Sequence, residues 1–392
     1  MTYRSAAFKR DIELVLMFPF VILGRIAGKL FSLSTKHHIF LFFPSADIGG
    51  SVKVNIDITD CVKDQKPLII FSKKPTNNQF KKLFESKGAR IIDLHKYIDN
   101  KLYHFVNFFF RGVLASWINK AEQPVVFGGE SLFFYKIVPH VKKQTKKVEL
   151  CHLNTWIDFS QAFAKYIDLR IFSTPKIKRD VENQYRRNHL PQSFFDKLLF
   201  IDNKVDIPPY EEIGNNILQV IYVGRGAPQK RVHLIAQIAR KMHDLGSPVH
   251  FSFVGDVEDI IPLEVKEYST LYGNIREEER LHELYKKSDV LLLTSAYEGL
   301  PIVVMDMMAR GKVVISTAVD GIPDYITPGR NGLLIMATDE REIVEQGVQL
   351  LQQLINTPEL KKQMGLESYR FAVAHFSGDT FCETYRRILI NA

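Results

Sequence analysis

The chain has 392 residues, of which 46% are hydrophobic and 24% charged, and its formal net charge at pH 7 is +8. This length predicts two domains, and the composition is typical of soluble globular proteins. The three cysteines, Cys61, Cys151 and Cys382, lie far apart and have no Cys-x-x-Cys spacing. Their positions argue against a zinc site or a disulfide framework and favour a reducing compartment.

The moderate positive charge suits an anionic partner, which a membrane, a nucleotide diphosphate or a nucleic acid would provide. The sequence contains no nucleic-acid-binding motif, so no nucleic-acid partner is expected. Lysines scattered over an ordinary solvated surface are the alternative explanation of the charge.

The first 34 residues contain an apolar run, residues 14–24, which Pro19 interrupts and basic residues flank. The run is shorter than the roughly 20 residues that span a bilayer, and no small-x-small cleavage site follows it. We therefore predict an amphipathic or re-entrant helix on an anionic membrane surface. A helix packed on the core of the first domain is the alternative.

Short apolar strands alternate with helical segments from residue 35 onward, which predicts a parallel sheet with helices on both faces. An aromatic-rich segment, residues 102–117, is expected to be a core helix, with an acceptor-facing or lipid-facing surface as the alternative. The expected strands of this first half are residues 38–43, 67–71, 90–94, 124–127, 147–150 and 168–172.

A glycine-containing loop, residues 44–51, follows the first of these strands and precedes a helical segment. In this geometry backbone amides approach a phosphate at the amino terminus of a helix. Gly49 and Gly50 are therefore candidates for phosphate binding, with an ordinary turn as the alternative. Two later strands end near Glu130 and His152, for which an exposed loop carboxylate and a structural histidine are the simpler explanations.

A domain boundary is expected at Pro208 and Pro209, because the polar segment 211–216 follows them. A second alternating series then begins with a strand at residues 218–223. Further strands are expected at residues 250–254, 271–274 and 290–293, and helices at 232–239, at 277–287, from 338 and at 376–390.

The apolar run at residues 290–293 leads into a loop that contains Glu298 and Gly299. Pro301 suits the first turn of a helix, because that position needs no backbone donor. Asp306 would then lie on this helix, and Glu298 at the carboxyl end of a parallel strand. Open α/β sheets bind ligands beyond the carboxyl ends of their strands, so both carboxylates are candidates for ligand binding.

The segment from Glu298 to Asp306 reads Glu-Gly-Leu-Pro-Ile-Val-Val-Met-Asp and resembles the Glu-x7-Glu signature of retaining family 4 glycosyltransferases. The resemblance continues through residues 309–317, 321–325 and 329–334. Asp306 departs from the signature, since its side chain is one methylene shorter than the usual Glu. The resemblance implies that Glu298 contacts the donor sugar and that the carboxylate at position 306 binds the ribose hydroxyls.

A second match lies in residues 224–231, where Arg225 and Lys230 resemble the basic pair that these enzymes use on the donor diphosphate. Fixed cations stabilise the charge that builds up on a departing phosphate without reorganising solvent. A solvent-exposed loop is the alternative. The neighbouring Arg231 leaves open which cation takes which oxygen.

The resemblance also places a glycine loop at the donor phosphates, which corresponds to Gly49 and Gly50, and a histidine near the donor sugar, which corresponds to His152. Such a histidine can hydrogen-bond a sugar hydroxyl and position the reacting face. The implied catalytic residues are Arg225, His152, Lys230 and Glu298. The implied donor-binding residues are Gly49, Gly50, Arg225, Lys230, Glu298, Gly299, Leu300, Pro301 and Asp306.

The fold implied by the resemblance is GT-B, with two doubly wound Rossmann-like α/β domains that face each other across a cleft. The first domain would bind the acceptor and the second the nucleotide sugar. The expected boundaries are 1–34 for the membrane-associating segment, 35–208 for the first domain, 209–375 for the second, and 376–392 for a helix that crosses back to the first.

The implied reaction moves a sugar, with retention at the anomeric carbon, from a nucleoside diphosphate sugar to a glycan or lipid-linked glycan, as in polysaccharide, lipopolysaccharide or capsule biosynthesis. UDP and GDP donors are not distinguished. No Asp-x-Asp motif stands where a metal-dependent transferase carries one, so no metal and no cofactor are expected. The expected location is cytoplasmic, peripheral on the inner face of the cell membrane. A nucleotide-sugar epimerase of similar fold and a non-catalytic membrane-associated scaffold are the alternatives.

Overall fold

The computed structural model describes residues 2–31, 33, 36–99, 104–212, 214–275 and 277–390, with the backbone alone at His104 and Asn154. The chain divides into two units, Met1–Asn203 with Asp379–Ala392, and Lys204–Gly378. Each unit is built on one parallel β-sheet. The predicted class, two Rossmann-like α/β domains, is confirmed.

Seven described strands form the sheet of the first unit: β1 (Ile39–Phe43), β2 (Leu68–Phe71), β3 (Arg90–Asp93), β4 (Val125–Gly128), β5 (Lys146–Cys151), β6 (Leu169–Phe172) and β7 (Leu198–Phe200). Their order is β3-β2-β1-β4-β5-β6-β7, and all neighbours are parallel. β1, β2 and β4 are buried at every position, as apolar runs of a doubly covered parallel sheet should be. The sequence predicted the first six; β7 has only three residues and was missed.

Six described strands form the sheet of the second unit: β8 (Leu218–Val223), β9 (Val249–Val254), β10 (Ser269–Leu271), β11 (Val290–Leu293), β12 (Val313–Thr317) and β13 (Leu333–Ile335). Their order is β10-β9-β8-β11-β12-β13, again all parallel. The strand predicted at residues 271–274 is wrong in its bounds, because β10 ends at Leu271 and Gly273 has a φ of +63°.

The α-helices alternate with these strands along most of the chain. In the first unit they are α1 (Tyr3–Leu16), α2 (Phe18–Leu30), α3 (Gly50–Cys61), α4 (Lys81–Ser86), α5 (His95–Ile98), α6 (His104–Lys120), α7 (Leu132–Ile137), α8 (Ile157–Ser160), α9 (Pro175–Arg187) and α10 (Gln192–Phe195). They continue with α11 (Val232–Asp244), α12 (Leu263–Lys266), α13 (Glu278–Lys287), α14 (Ile302–Met308), α15 (Glu340–Asn356), α16 (Pro358–His375) and α17 (Gly378–Leu389).

The amino-terminal segment forms two helices, α1 and α2, which are separated at Met17, with Pro19 in the first turn of α2. α2 packs along α6, and α1 is held by Glu13, which accepts hydrogen bonds from Arg111 at 2.7 Å and from Lys136. One side of the segment is therefore packed on the first unit. No helix among the described residues is long and apolar enough to cross a membrane. Residues 102 and 103 of the predicted aromatic helix lie outside the described residues, and the remainder belongs to α6.

Two glycines set the distance between α2 and α6. A Cβ on Gly24 would lie 1.9 Å from the carbonyl oxygen of Phe109, and a Cβ on Gly112 would lie 2.1 Å from that of Val21. Both distances are far below van der Waals contact, so the two helices touch through their backbones.

We expect Gly112→Ala to lower the free energy of unfolding by about 1–3 kcal/mol, because the added methyl group must push α2 away from α6. Both tryptophans, Trp117 and Trp156, belong to the first unit, so urea unfolding followed by tryptophan fluorescence measures the loss. Gly49→Ala is the control within the same unit, since a Cβ there meets no atom within 4 Å, its φ of 169° is ordinary extended backbone, and stability should change by less than about 0.5 kcal/mol. Equal losses in the two variants would contradict the close-contact explanation.

Cys61 of α3 and Cys382 of α17 form a disulfide across a sequence separation of 321 residues, with their Cα atoms 5.1 Å apart. The prediction that no cysteines pair is wrong for these two, whereas Cys151 is free and buried. Sequence spacing failed because only the tertiary path brings α17 back to the first unit. There the ring of Tyr385 packs on Phe127, and Arg386 donates a hydrogen bond to the Cys61 carbonyl at 2.7 Å.

A fully buried ion pair lies under the sheet of the first unit. Arg170 on β6 donates through Nε and Nη2 to the carboxylate of Glu149 on β5, and neither side chain has solvent exposure. Tyr135 donates to the same carboxylate at 2.7 Å, while Arg170 also donates to Ser160 at 2.6 Å and to Tyr185. Burial lowers the pKa of Arg170 and the charge of Glu149 raises it, with a net upward shift.

Candidate donor-binding site

The topological switch point of the second unit lies between β8 and β11. From β8 the chain continues to β9 on one side, and β11 pairs with β8 on the other. Loops after two such strands diverge and leave a crevice at the carboxyl edge of the sheet, where doubly wound proteins bind ligands. The loop after β8 carries Arg225 and Lys230, and the loop after β11 carries Glu298 and Gly299. The fold thus brings together two segments that are about seventy positions apart in the sequence.

Lys230 and Glu298 meet in this crevice. Lys230 ends a single 3-10 turn, Pro228–Lys230, and its Nζ donates a hydrogen bond to Oε1 of Glu298. The side chains are only 14% and 7% exposed, so the two charges interact with little screening by water. An ammonium group has three donors and a carboxylate two oxygens. The pair therefore keeps donor and acceptor capacity for a bound molecule.

Arg231 fastens one loop to the other. Its Nε donates to the carbonyl of Thr294 at 2.7 Å and its Nη2 to the carbonyl of Ser295 at 2.9 Å. Its φ of +46° lies in the left-handed region, between the 3-10 turn and the start of α11. Arg231 therefore has a structural role, because it joins the two loops. The sequence alone had left the role of Arg231 open.

Asp320 fixes the backbone of the acidic loop, since its Oδ2 accepts from the amide of Glu298 at 2.9 Å. Its own φ of +43° lies in the left-handed region, which aspartate tolerates better than most residues. Sequence reasoning missed Asp320. The signal available was its position in Asp-Gly, a turn-forming pair, just before the matched segment 321–325.

Arg225 differs from Lys230 in being exposed, and its guanidinium has no partner among the residues that the structure describes. Its backbone is fixed: Tyr222 donates its hydroxyl to the Arg225 carbonyl at 2.9 Å, and Asp256 accepts from the Gly226 amide at 2.9 Å. A fixed backbone with a free guanidinium is suited to bidentate binding of phosphate oxygens.

The remaining predicted donor-binding residues lie between β11 and the end of α14. Pro301 precedes the helix as its cap and does not occupy the first turn, since α14 begins at Ile302; Leu300 is buried. Asp306 lies on α14 as predicted, is 14% exposed, and has Oδ1 3.4 Å from Nη1 of Arg310. Its carboxylate is thus partly committed to a neighbour within the helix.

The first unit has its own switch point, between β1 and β4. Gly49 and Gly50 follow β1, and α3 begins at Gly50, so the predicted order of strand, glycine loop and helix is present. A cavity of about 30 Å³ opens beside them, lined by Ser51, Glu130 and His152 among others. His152, the remaining predicted site residue, therefore lies near this glycine loop within the first unit.

Glu130 is not the exposed loop carboxylate that the sequence suggested. Its φ of +50° turns the side chain toward the end of β5, where Oε1 accepts from the amides of His152 and Leu153, each at 2.8 Å. Burial raises the pKa of its carboxyl to about 7 and lowers the pKa of His152 to about 4. The Nε2 atom of His152 is buried and has no hydrogen-bond partner among the described residues. A neutral imidazole held in this way can bind a hydroxyl group.

We compare the free energy of unfolding of Glu130→Gln with that of the unaltered chain. We expect the difference to shift in favour of the variant when pH is raised from 5 to 8. Folded Glu130 keeps its proton up to about pH 7, whereas the ordinary pKa of a glutamate carboxyl in an unfolded chain is about 4.5. The folded state then binds more protons than the unfolded state between these values, so this carboxyl lowers the free energy of unfolding as pH rises, by up to about 3 kcal/mol. Urea unfolding at both pH values measures the difference.

His152 acts in the opposite direction between about pH 4 and 6.5, but it is present in both proteins and cancels in the comparison. Parallel pH profiles for the two proteins would show that Glu130 is ionised in the folded state.

Asp47 is a further residue that the sequence did not single out. Its carboxylate accepts from the amides of Thr76, Asn77 and Asn78 and from the hydroxyl of Ser45, all between 2.8 and 3.0 Å. Burial opposes ionisation, but these hydrogen bonds outweigh it and lower the pKa to about 2. Asp47 thereby ties the glycine loop to the loop after β2.

Among the described residues, no group of three or more His, Cys, Asp or Glu side chains is placed to hold a metal ion.

Residues 206–371, which lie within the second unit, match the family described as glycosyl transferases group 1. An uncharacterized 41.2 kDa protein in the cps region of Klebsiella pneumoniae is 25% identical over 249 residues, which cover 62% of this chain and 65% of that protein. The capsular polysaccharide biosynthesis glycosyltransferase CapM of Staphylococcus aureus is 24% identical over 194 residues, which cover 48% of this chain and 50% of that protein. The matches thus span between half and two thirds of these relatives.

Among solved structures, Anabaena HepE in complex with UDP superposes on 91% of this chain and 100% of its own chain, with a TM-score of 0.70 and 14% sequence identity. At this identity the likeness concerns the fold alone. Taken with the two parallel-sheet units, it confirms the predicted architecture. The chain has the two-domain GT-B fold, and its second unit matches the glycosyl transferases of group 1.

Proposed function

We propose that this protein is a glycosyltransferase that moves a sugar from a nucleoside diphosphate sugar to a glycan or lipid-linked glycan. The observation that carries the proposal is the Lys230–Glu298 pair at the switch point of the second unit, beside the unpaired guanidinium of Arg225. The family match over residues 206–371 supports it, and so does the UDP held by the HepE structure of the same fold.

The reaction follows from these groups. The bond from the anomeric carbon to the phosphate oxygen breaks, and its electron pair stays on the phosphate. The acceptor oxygen forms the new bond to that carbon, and its proton passes to the departing phosphate. Arg225 and Lys230 stabilise the charge on the diphosphate, and Glu298 accepts a hydrogen bond from a sugar hydroxyl while it orients Lys230.

The finer assignments are part of the same proposal. Proton transfer on the side that the diphosphate leaves gives retention at the anomeric carbon, as the family 4 resemblance implies. Two fixed cations take the place of a divalent metal, so activity should persist in EDTA. Asp306 binds the ribose, Gly49 and Gly50 bind donor phosphate, and His152 binds a hydroxyl group of a substrate.

We infer the acceptor and the location from the descriptions of two relatives and from the amino-terminal helices. CapM is named for capsular polysaccharide biosynthesis, and the Klebsiella relative lies in a cps region. Exposed apolar side chains on α1 and α2 suit attachment to the inner face of a membrane, where a lipid-linked glycan would be presented.

The test incubates the full chain with radiolabelled UDP-sugars and GDP-sugars and a lipid extract, with and without EDTA. Transfer of label to a lipid-extractable or polymeric product is expected, with an α-linkage from an α-linked donor by NMR. Conversion of the nucleotide sugar without transfer would favour the epimerase alternative. If neither product forms, and neither UDP nor GDP shifts the melting temperature, the result would favour the non-catalytic scaffold.

A further inference from the structure

The first unit contains a second, basic cavity that none of the residues assigned above lines. It measures about 500 Å³ and is formed by the end of α2, the end of α6 and the loop that follows α7. Its charged or titratable lining residues are Arg25, Lys29, Lys120, His140 and Lys142, and its lining contains no carboxylate. We refer to it as the α2–α6 cavity.

The cations of the α2–α6 cavity are not neutralised by neighbours. Among the described residues, no carboxylate forms an ion pair with Arg25, Lys29, Lys120 or Lys142. α2 and α6 contain no acidic residue, and Glu13 of α1 already accepts from Arg111 and Lys136. Cations gathered without an acid repel one another and attract an anion.

Hydrogen bonds to backbone carbonyls hold the walls of the cavity in place. Arg25 Nη2 and Asn119 Nδ2 both donate to the carbonyl of His140, at 3.1 and 3.3 Å, and Lys120 Nζ donates to the carbonyl of Lys29 at 3.1 Å. The Nε of Arg25 and the Nε2 of His140 are buried and have no hydrogen-bond partner among the described residues. These atoms leave unfilled hydrogen-bonding capacity at a positively charged wall.

An exposed apolar stripe lies next to the cavity on the same helix. Leu23, Ile26 and Leu30 of α2 are 57%, 51% and 73% exposed. At about 100° per residue, Arg25 and Lys29 fall between this stripe and the buried side of α2 that packs on α6. The stripe continues on α1, where Phe8, Val15 and Leu16 are exposed. A ligand in the cavity would therefore meet water-exposed apolar side chains as well as cations.

We propose that the α2–α6 cavity binds the phosphate of an anionic membrane lipid, whose acyl chains contact the apolar stripe of α2. Arginine and lysine bind phosphate through charge-assisted hydrogen bonds, and the apolar neighbours distinguish a lipid from a free phosphate. The proposal rests on the membrane attachment included in the proposed function and gives it a specific site. It also predicts the orientation, with α1 and α2 of the first unit against the bilayer.

The test measures binding of the full chain to sedimenting vesicles of phosphatidylcholine alone and of phosphatidylcholine with 30% phosphatidylglycerol (about one lipid in three). Lys29→Gln/Lys142→Gln removes two cavity charges whose ammonium groups make no hydrogen bond among the described residues. We expect binding to anionic vesicles to weaken at least about tenfold, since each basic residue at an anionic surface contributes roughly fivefold. Lys82→Gln/Lys287→Gln removes two exposed charges elsewhere and should weaken it less than about twofold.

Three results would overturn the proposal. Equal losses in the two double variants would indicate a diffuse charge effect, and failure to bind anionic vesicles at all would exclude the lipid. Competition by millimolar inorganic phosphate, with no loss of binding in Leu23→Ser/Leu30→Ser, would indicate a site for free phosphate. A shift in melting temperature by UDP, measured on the same preparations, separates these failures from failure of the proposed transferase.

Discussion

Glu298→Gln and Lys230→Ala should each lower kcat/KM for sugar transfer at least about tenfold. Each substitution removes half of a nearly buried ion pair, so it also disturbs the group that remains. Without Glu298 the ammonium group loses the partner that orients it, and without Lys230 the departing diphosphate loses a fixed cation. Initial rates at several donor concentrations measure the effect on kcat and KM separately.

Glu345→Gln is the matched control, because Glu345 also pairs with a lysine, Lys241, but both side chains are about half exposed. Its rate should stay within about twofold of the unaltered chain. The double variant Lys230→Ala/Glu298→Gln should be less impaired than the product of the two single effects, since the residues act as a unit. Unchanged turnover in either single variant would remove the residue from the proposed mechanism.

Glu149→Gln should cost about 3–5 kcal/mol of unfolding free energy, which is the largest stability loss that we expect from one substitution in this chain. Arg170 would keep its charge in the interior without an anionic partner, with only the neutral amide oxygen at position 149 and the hydroxyls of Tyr185 and Ser160. Arg170→Met should cost a similar amount, because it leaves the carboxylate with Tyr135 alone. Urea unfolding followed by tryptophan fluorescence measures all of these variants.

The double variant Glu149→Leu/Arg170→Met tests the cause. Removing both charges leaves no uncompensated ion, so the double variant should be more stable than either single variant. Additive losses would instead show that packing volume, and not charge, determines the cost. The partly exposed pair Lys178–Glu182 provides a surface control, with an expected change below about 1 kcal/mol for Glu182→Gln.

Much of the fold followed from local pattern. Apolar runs of four to six residues separated by helical segments predicted most strands of both sheets, because buried parallel strands have no polar alternation to obscure them. The strands β7, β12 and β13 were missed. β7 and β13 have three residues each, which carry too little pattern to separate a strand from a loop, whereas the apolar residues of β12 were interpreted only as part of the family resemblance. Register and strand order depend on the whole chain and had to be supplied by the structure.

The candidate site was predictable where sequence motif and topology coincide. Lys230 and Glu298 belong to loops after neighbouring strands, so the expectation that they serve one ligand agrees with their hydrogen bond. Asp320 and Asp47 were not predicted, because each acts by accepting from backbone amides of distant residues. Such contacts leave no spacing rule in the sequence. The disulfide between Cys61 and Cys382 was missed for the same reason.

The return of α17 to the first unit has a consequence for synthesis on the ribosome. Tyr385 and Phe381 are almost fully buried in a unit whose other residues end at Asn203, so that unit lacks a core element until residues 379–392 are made. At typical elongation rates the intervening stretch takes roughly 10–35 s to translate. During that interval the apolar surface on which α17 packs, including Phe127, would be exposed to water or available to a chaperone. The part of the protein that begins first is therefore completed last.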